Sequence, residues 1–412
     1  MNYYRFPENK GTKLAAYLLM LALILTARDS MITGAMLGVQ LSQVLLLAMA
    51  GVLGIAFLIV RRKAWKAILS DRRMLLFAIS AVVVLVPMVV KRDWQLMYLS
   101  VLLCIFFGIF LTYFTTLREV ARYYVVVLSG LALYSLLTAY ILRIPADMGL
   151  WNHPTFINGA GNEFYHFGLS TVPLTFVPHR NFGIFREPGV YQYFIILGLF
   201  LNNYELEWDK AWKLWVINVL LAVTMVSTFA TGGLVELAIF VVLVFFDKGC
   251  YRTRTGRQAA AVVILGGIAV IALSMATKSL LYSGIVENVR KFTVDTESAD
   301  DRAGSLGVNI AMFLSHPLFG GGLAQTLHAI DNNTSSTTIL FAVLGVFGGL
   351  FHVLGWVVLV WKKERRVFTW LLLGLILAMA INTQNMIADV FLWIFPMMAM
   401  AEKLLPLGQR KG

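Results

Sequence analysis

The chain has 412 residues, of which 59% are hydrophobic and only 14% charged, with a mean hydropathy of +0.77. Soluble domains carry roughly 25% charged residues and about 45–50% apolar ones, so a water-soluble fold of this make-up would expose more apolar surface than a monomer tolerates. The net charge of +12 has the size of a nucleic-acid signal, but its placement excludes that partner.

A helix crossing the hydrocarbon needs about 20 mostly apolar residues. Read between charges, the chain offers these runs in order: 14–28, 36–60, 74–90, 94–115, 123–142, 189–203, 212–230, 232–247, 258–277, 336–361, 367–382 and 385–402. The expected fold is an all-α polytopic membrane protein of about 12 transmembrane helices, a single transmembrane domain over 1–412. Two long outer loops interrupt it and are expected to carry short amphipathic helices. The first apolar run ends in Arg28-Asp29-Ser30, not in a small-residue cleavage site, so no cleavable signal peptide is expected.

Lys and Arg set the orientation. With the N-terminus inside, the inner segments hold 24 of the 34 Lys and Arg, and the outer segments hold 10. Both termini are then cytoplasmic. The basic residues are scattered over many short inner turns, which is a topology signal and no nucleic-acid surface. No phosphate-binding P-loop appears, and no pair of matching broken helices of the transporter kind is visible. Cys104 lies in an apolar run and Cys250 in a basic loop, at different depths, so no disulfide is expected.

Most connections are a few residues long, but 143–188 and 278–335 are not. Long loops in a compact chain are functional or disordered. The first is too aromatic for disorder, with Trp151, Phe156, Phe164, Tyr165, Phe167, Phe176, Phe182 and Phe185. Seven of the 10 outer basic residues fall in the two loops: Arg143, Arg180, Arg186, Lys278, Arg290, Lys291 and Arg302. Guanidinium forks match phosphate oxygens, so this clustering suggests a phosphate or pyrophosphate held at headgroup level. The plainer alternative is that each Arg pairs with a nearby carboxylate or a lipid headgroup.

The first loop re-enters the membrane through His179-Arg180-Asn181-Phe182-Gly183-Ile184-Phe185-Arg186-Glu187-Pro188-Gly189. Pro188 suits a first helical turn, which puts Glu187 at a helix N-terminus, where the dipole favours a negative charge. Glu187 is either a capping carboxylate or a reactive one. The second loop carries Asp300-Asp301-Arg302, then Leu306, Ile310, Phe313 and Leu314 at helical spacing. That piece reads as a surface helix with Arg302 in its first turn, stopped by Pro317. The run Gly320-Gly321-Gly322 allows close backbone approach or a tight turn. Within the spans, Asn218, Glu236, His352, Asn382, Gln384, Asn385 and Asp389 stand out, because polar groups at membrane depth are costly. Glu236 and Asp389 either bond between helices or line an outer cavity. His153, His166 and His179 form no zinc pattern, and no metal is expected.

These motifs resemble those of the O-antigen and capsular polysaccharide repeat-unit polymerases (the Wzy type), in the superfamily shared with O-antigen ligases. RNFGIFREPG at 180–189 is similar to their R-x-x-G-x-F-x-E-P signature, and TFATGGLVEL at 228–237 to a Gly-rich helix start. Arg302 followed by HPLFGGG is similar to their R…P-L-x-G-x-G segment, and LGVFGGLF at 344–351 to the opening of the next helix. The resemblance covers most of residues 140–400. Ligases carry a His-Asn pair after the second loop. Here the stretch is Asn333-Thr334-Ser335-Ser336, which favours a polymerase.

The resemblance implies glycosyl transfer at the outer face of a bacterial plasma membrane. Donor and acceptor would be glycans on undecaprenyl pyrophosphate, with no cofactor and with a chain-length-regulating membrane protein as partner. It implies Glu187 as catalytic base, with His328 second, and Arg180, Arg186, Arg302 and Arg290 on the pyrophosphate. Glu236, Tyr191 and Asp331 are assigned to the cavity lining. The alternatives are a ligase passing the glycan to lipid A or protein, and a lipid-linked oligosaccharide flippase or transporter.

Overall fold

A computed structural model describes residues 10–27, 30–31, 48, 71–158, 161–174, 177–254, 303–330 and 333–406, the backbone of 297–302, and scattered positions between 257 and 290. The expected spans 36–60 and 258–277 lie largely outside the described residues.

The described chain is mostly helical. In order come α1 (Lys10–Leu25), α2 (Arg72–Val90), α3 (Leu96–Leu111), α4 (Leu117–Leu137) and α5 (Arg143–Asp147), the last two joined by a π turn at Thr138–Leu142. Next are the strands β1 (Thr155–Ile157), β2 (Glu163–His166) and β3 (Thr171–Pro173). Helices α6 (Pro188–Tyr204), α7 (Ala211–Ser227), α8 (Thr231–Asp247), α9 (Glu297–Ser315), α10 (Leu323–His328), α11 (Ser336–Val360), α12 (Val367–Ile381) and α13 (Val390–Lys403) follow. Among the described residues, four helical stretches are long and apolar enough to cross a membrane: Arg72–Val90, Leu117–Asp147, Ala211–Thr228 and Ser336–Val360. Shorter apolar helices occupy further expected spans, among them Leu96–Leu111 and Val367–Ile381.

Local chemistry sets the helix starts. Asp71 accepts from the Arg73 amide at 2.8 Å, a side-chain N-cap for α2. Thr116 and Glu119 exchange bonds at the start of α4, side chain to backbone in both directions, which is a capping box. Along α7, Trp212, Trp215, Val216, Val219, Val223 and Val226 are all exposed, an apolar stripe at helical spacing that water would not tolerate and lipid would.

The chain divides into two compact units. One comprises 1–127, 299–361 and 381–412. Its centre is α13, buried from Val390 to Ala401 and packed against α3 and α11. Tyr124 of α4 stacks its ring near Phe391, centroids 5.1 Å apart. The other unit comprises 128–298 and 362–380. Its centre is α6, buried along nearly its whole length, with α7 and α8 against it. Asn202 and Asn203 both donate to Asn218 of α7 at 2.8 Å, so the polar Asn218 serves helix–helix contact. At the same end of α6, Glu205 pairs with Lys362 at 3.0 Å and Arg365 at 3.5 Å.

Two features depart from the expected all-α plan. The first long loop holds a three-stranded antiparallel sheet in the order β1-β2-β3, with Thr155 opposite Tyr165 and Tyr165 opposite Val172. The run 336–361, expected to be one continuous span, is broken at Gly345, whose φ of 71° and ψ of −165° are not helical.

Candidate functional site

The first long loop is built into the second unit, and residues 299–335 of the second loop into the first unit. In the second unit the sheet is fastened to the helices beneath it. Tyr134 donates to the Phe167 carbonyl, and Thr138 donates to the Ser170 hydroxyl at 2.8 Å. Buried Arg143 pairs with Asp147 at 2.7 Å and also donates to the Pro178 carbonyl. Phe164 is wholly buried, its ring edge-on to Phe182. Phe164, Phe167, Phe182 and Phe185 are thus packing residues, while Trp151 is exposed.

The segment 179–189 then threads back to α6. Asn181 is its anchor: the buried amide donates to Ser135 and Ser227, both at 3.0 Å, and accepts from the Gly183 amide at 2.9 Å. Arg180, expected on a pyrophosphate, donates instead to the carbonyls of Thr228 and Phe229, at 3.1 and 2.8 Å. Those carbonyls close the end of α7, where the helix leaves its acceptors unmet and a cation is favoured.

Arg186 and Glu187 differ from Arg180. Their side chains pair at 3.0 Å, and they are 51% and 35% exposed. Glu187 occupies the N-cap position of α6, yet its side chain makes no capping bond. The carboxylate therefore has a cationic neighbour and open access.

Tyr191 and Glu236, expected on a cavity wall, are both interior residues. Tyr191 is fully buried; its ring lies under Gly183, against Phe185, and its hydroxyl meets Ser135 at 3.1 Å. Glu236 is fully buried in α8 and accepts from Gln192 of α6 at 3.1 Å, a bond between helices. Arg290 is exposed.

In the first unit the second loop folds onto the break in α11. Gly321 donates to the Ala342 carbonyl at 2.7 Å, and Val346 donates to the Pro317 carbonyl at 2.8 Å. These two bonds satisfy backbone groups that a broken helix leaves free, as hydrocarbon demands. The HPLFGGG motif is thus a docking turn. α9 begins at Glu297 and ends at Ser315, just before Pro317. Arg302 consequently lies in its second turn, one turn later than expected. His328 is exposed at the end of α10, and Asp331 lies outside the described residues.

A neutral network ties this loop together. Asn309 and Asn333 exchange bonds at 2.9 and 2.7 Å, and Asn309 also donates to Thr338 at 2.9 Å. Ser335 donates to Asn382 at 3.0 Å, and Asn382 also accepts from the Thr337 amide at 2.8 Å. Asp389 caps α13 by accepting from the Phe391 amide at 2.8 Å. His352 is buried in α11, with neither ring nitrogen hydrogen-bonded and its ring 5.1 Å from that of Trp393.

Lys91 and Arg92, in the short turn after α2, bear no motif that marks them in the sequence. Asp93 beside them accepts from the Tyr98 hydroxyl at 3.1 Å and from the Ala324 amide at 2.9 Å, so this turn is fixed to the second loop. Among the described residues no three His, Cys, Asp or Glu side chains converge as metal ligands. Both cysteines are free.

No family model, curated protein or solved structure matches the chain.

Proposed function

We propose that the protein is a membrane glycosyltransferase of the repeat-unit polymerase kind. It joins undecaprenyl-diphosphate-linked oligosaccharide units into a surface polysaccharide at the outer face of a bacterial plasma membrane. The observation that carries the reading is Glu187, a carboxylate part-exposed at a helix start, unused as a cap and 3.0 Å from Arg186. A transfer with a diphosphate leaving group needs such an acceptor-side base and a nearby cation.

In this reading the acceptor's terminal hydroxyl attacks the anomeric carbon of the donor. The bond from that carbon to the diphosphate oxygen breaks, and undecaprenyl diphosphate leaves with the electron pair. Glu187 takes the hydroxyl proton, with His328 the second candidate. Arg186, Arg290 and Arg302 are each candidates for meeting the charge growing on the leaving group. Arg180 supports the first loop from beneath. A chain-length-regulating membrane protein is the expected partner.

The test is lengthening of a purified lipid-linked repeat unit by the purified protein, with no added nucleotide. A ladder of products supports the reading. A single product on a non-repeat acceptor supports a ligase, and movement across the membrane without a new bond supports a flippase.

A further inference from the structure

The turn after α2 is an unusual place for two cations. The Arg92 amide donates to the Val89 carbonyl and the Asp93 amide to the Met88 carbonyl. This pattern closes a helix with its next residue in the left-handed region, a position where glycine is usual. Here that residue is Arg92, with φ at +51°. A side chain in this region is strained, and such strain is kept where the surroundings fix it and function uses it.

Asp93 is the nearest carboxylate in the chain, but it is engaged by Tyr98 and the start of α10. Lys91 and Arg92 have no ion pair or side-chain hydrogen bond among the described residues. Two adjacent like charges are therefore held on a fixed turn with no ion pair among the described residues, and the one carboxylate beside them is oriented by neutral donors toward Tyr98 and Ala324. Gly322 leaves them room, since a Cβ there would come within 3.4 Å of the Lys91 Cβ. Trp94, exposed beside them at 69%, is the residue type that sits at headgroup level.

We propose that Lys91 and Arg92 form an anion-binding turn for the phosphate or diphosphate of a membrane lipid, anchored through Asp93 to the second outer loop. Arg supplies the planar fork that grips paired phosphate oxygens, and Lys the point charge beside it. That the lipid is a polyprenyl diphosphate rests on the proposed function. The anion site itself does not.

The experiment uses the full chain in nanodiscs of zwitterionic lipid, titrated with radiolabelled undecaprenyl diphosphate. Arg92→Gly is the informative variant, because it removes the charge and relieves the strain together. Its binding should weaken about tenfold, as for a lost charged hydrogen bond, while its melting temperature holds or rises. Lys91→Ala should weaken binding in the same direction, and Arg92→Lys should fall between.

Phosphatidylglycerol added to the disc separates the sources. If it displaces the probe, the site takes bulk headgroups; if it does not, the site selects the diphosphate lipid. Either result keeps the anion turn. Unchanged binding in both Arg92→Gly and Lys91→Ala overturns it, as does an equal loss in Arg252→Ala, which would leave net charge as the cause. Binding is read without any transfer reaction, so a failed anion site leaves the polymerase reading to the lengthening assay. A protein that binds yet lengthens nothing would count against that reading alone.

Discussion

Gly345 and Leu318 approach so closely that a Cβ on Gly345 would lie 2.2 Å from the Leu318 carbonyl oxygen. Gly320 makes the reciprocal approach, its own Cβ position falling 2.3 Å from the Val343 carbonyl. Both have positive φ, so neither the space nor the backbone suits a side chain. Gly345→Ala and Gly320→Ala should each cost about 3 kcal/mol, from strain and overpacking together. Gly374→Ala in α12, where nothing lies within 4 Å, should gain up to about 1 kcal/mol from helix propensity. Thermal unfolding in detergent, followed by helical circular dichroism, separates the three.

Arg180 and Arg186 of the first loop should part company on mutation. Arg180→Ala leaves the carbonyls of Thr228 and Phe229 without their donor, at a cost of about 1–3 kcal/mol. Arg186→Ala breaks an exposed pair worth less than about 1 kcal/mol, and should lower polymer yield at normal protein level. Quantifying folded protein and polymer in the same cells distinguishes the effects.

Glu187→Gln keeps size and hydrogen bonding while removing the charge. Since the side chain makes no capping bond, stability should hardly change. A lost general base should slow transfer by roughly 10²–10⁴. Wild-type rates with this variant would move the base elsewhere.

The sheet of the first long loop should soften in acid. Burial, and then neighbouring His153, lower the pKa of His166 below its ordinary 6.5, while hydrogen bonding to Gly168 opposes them. The folded sheet thus resists protonating His166, whereas the unfolded segment accepts the proton more readily. Its contribution to stability is full above the unfolded pKa and declines as pH falls below it. Asp147 and Arg143 face neighbouring Tyr165, and Glu163 shares the strand, so the effect should be assigned by variant. Hydrogen exchange over 155–173 should quicken between about pH 7 and pH 5, and His166→Gln should flatten that response.

Hydropathy made most helices legible, because a span is a property of some 20 residues read together. α13 and α6 were placed within a few residues for that reason. The sheet in the first loop was not legible: strands of three or four residues are too short to show alternation above the noise of an aromatic loop. Nor was the break at Gly345, since Leu344-Gly345-Val346 is apolar on both sides and the partner that meets it, Pro317 to Gly321, lies far along the chain. At Arg180 the residue was singled out but its partner was a backbone carbonyl, which leaves no mark in sequence. Lys91 and Arg92 were not legible either, because two cations in the five-residue turn 91–95 carry no pattern of their own.

In the proposed reaction each new glycosidic bond forms as a lipid diphosphate linkage breaks. The most direct measurement is release of free undecaprenyl diphosphate, counted against linkages formed by the purified protein in proteoliposomes given only the lipid-linked repeat unit. One lipid should be released for every linkage, and Glu187→Gln and Arg186→Ala should suppress both. Repeat units that cross the membrane or reach another acceptor with no lengthened glycan, and with neither variant altering the outcome, would contradict the proposed reaction.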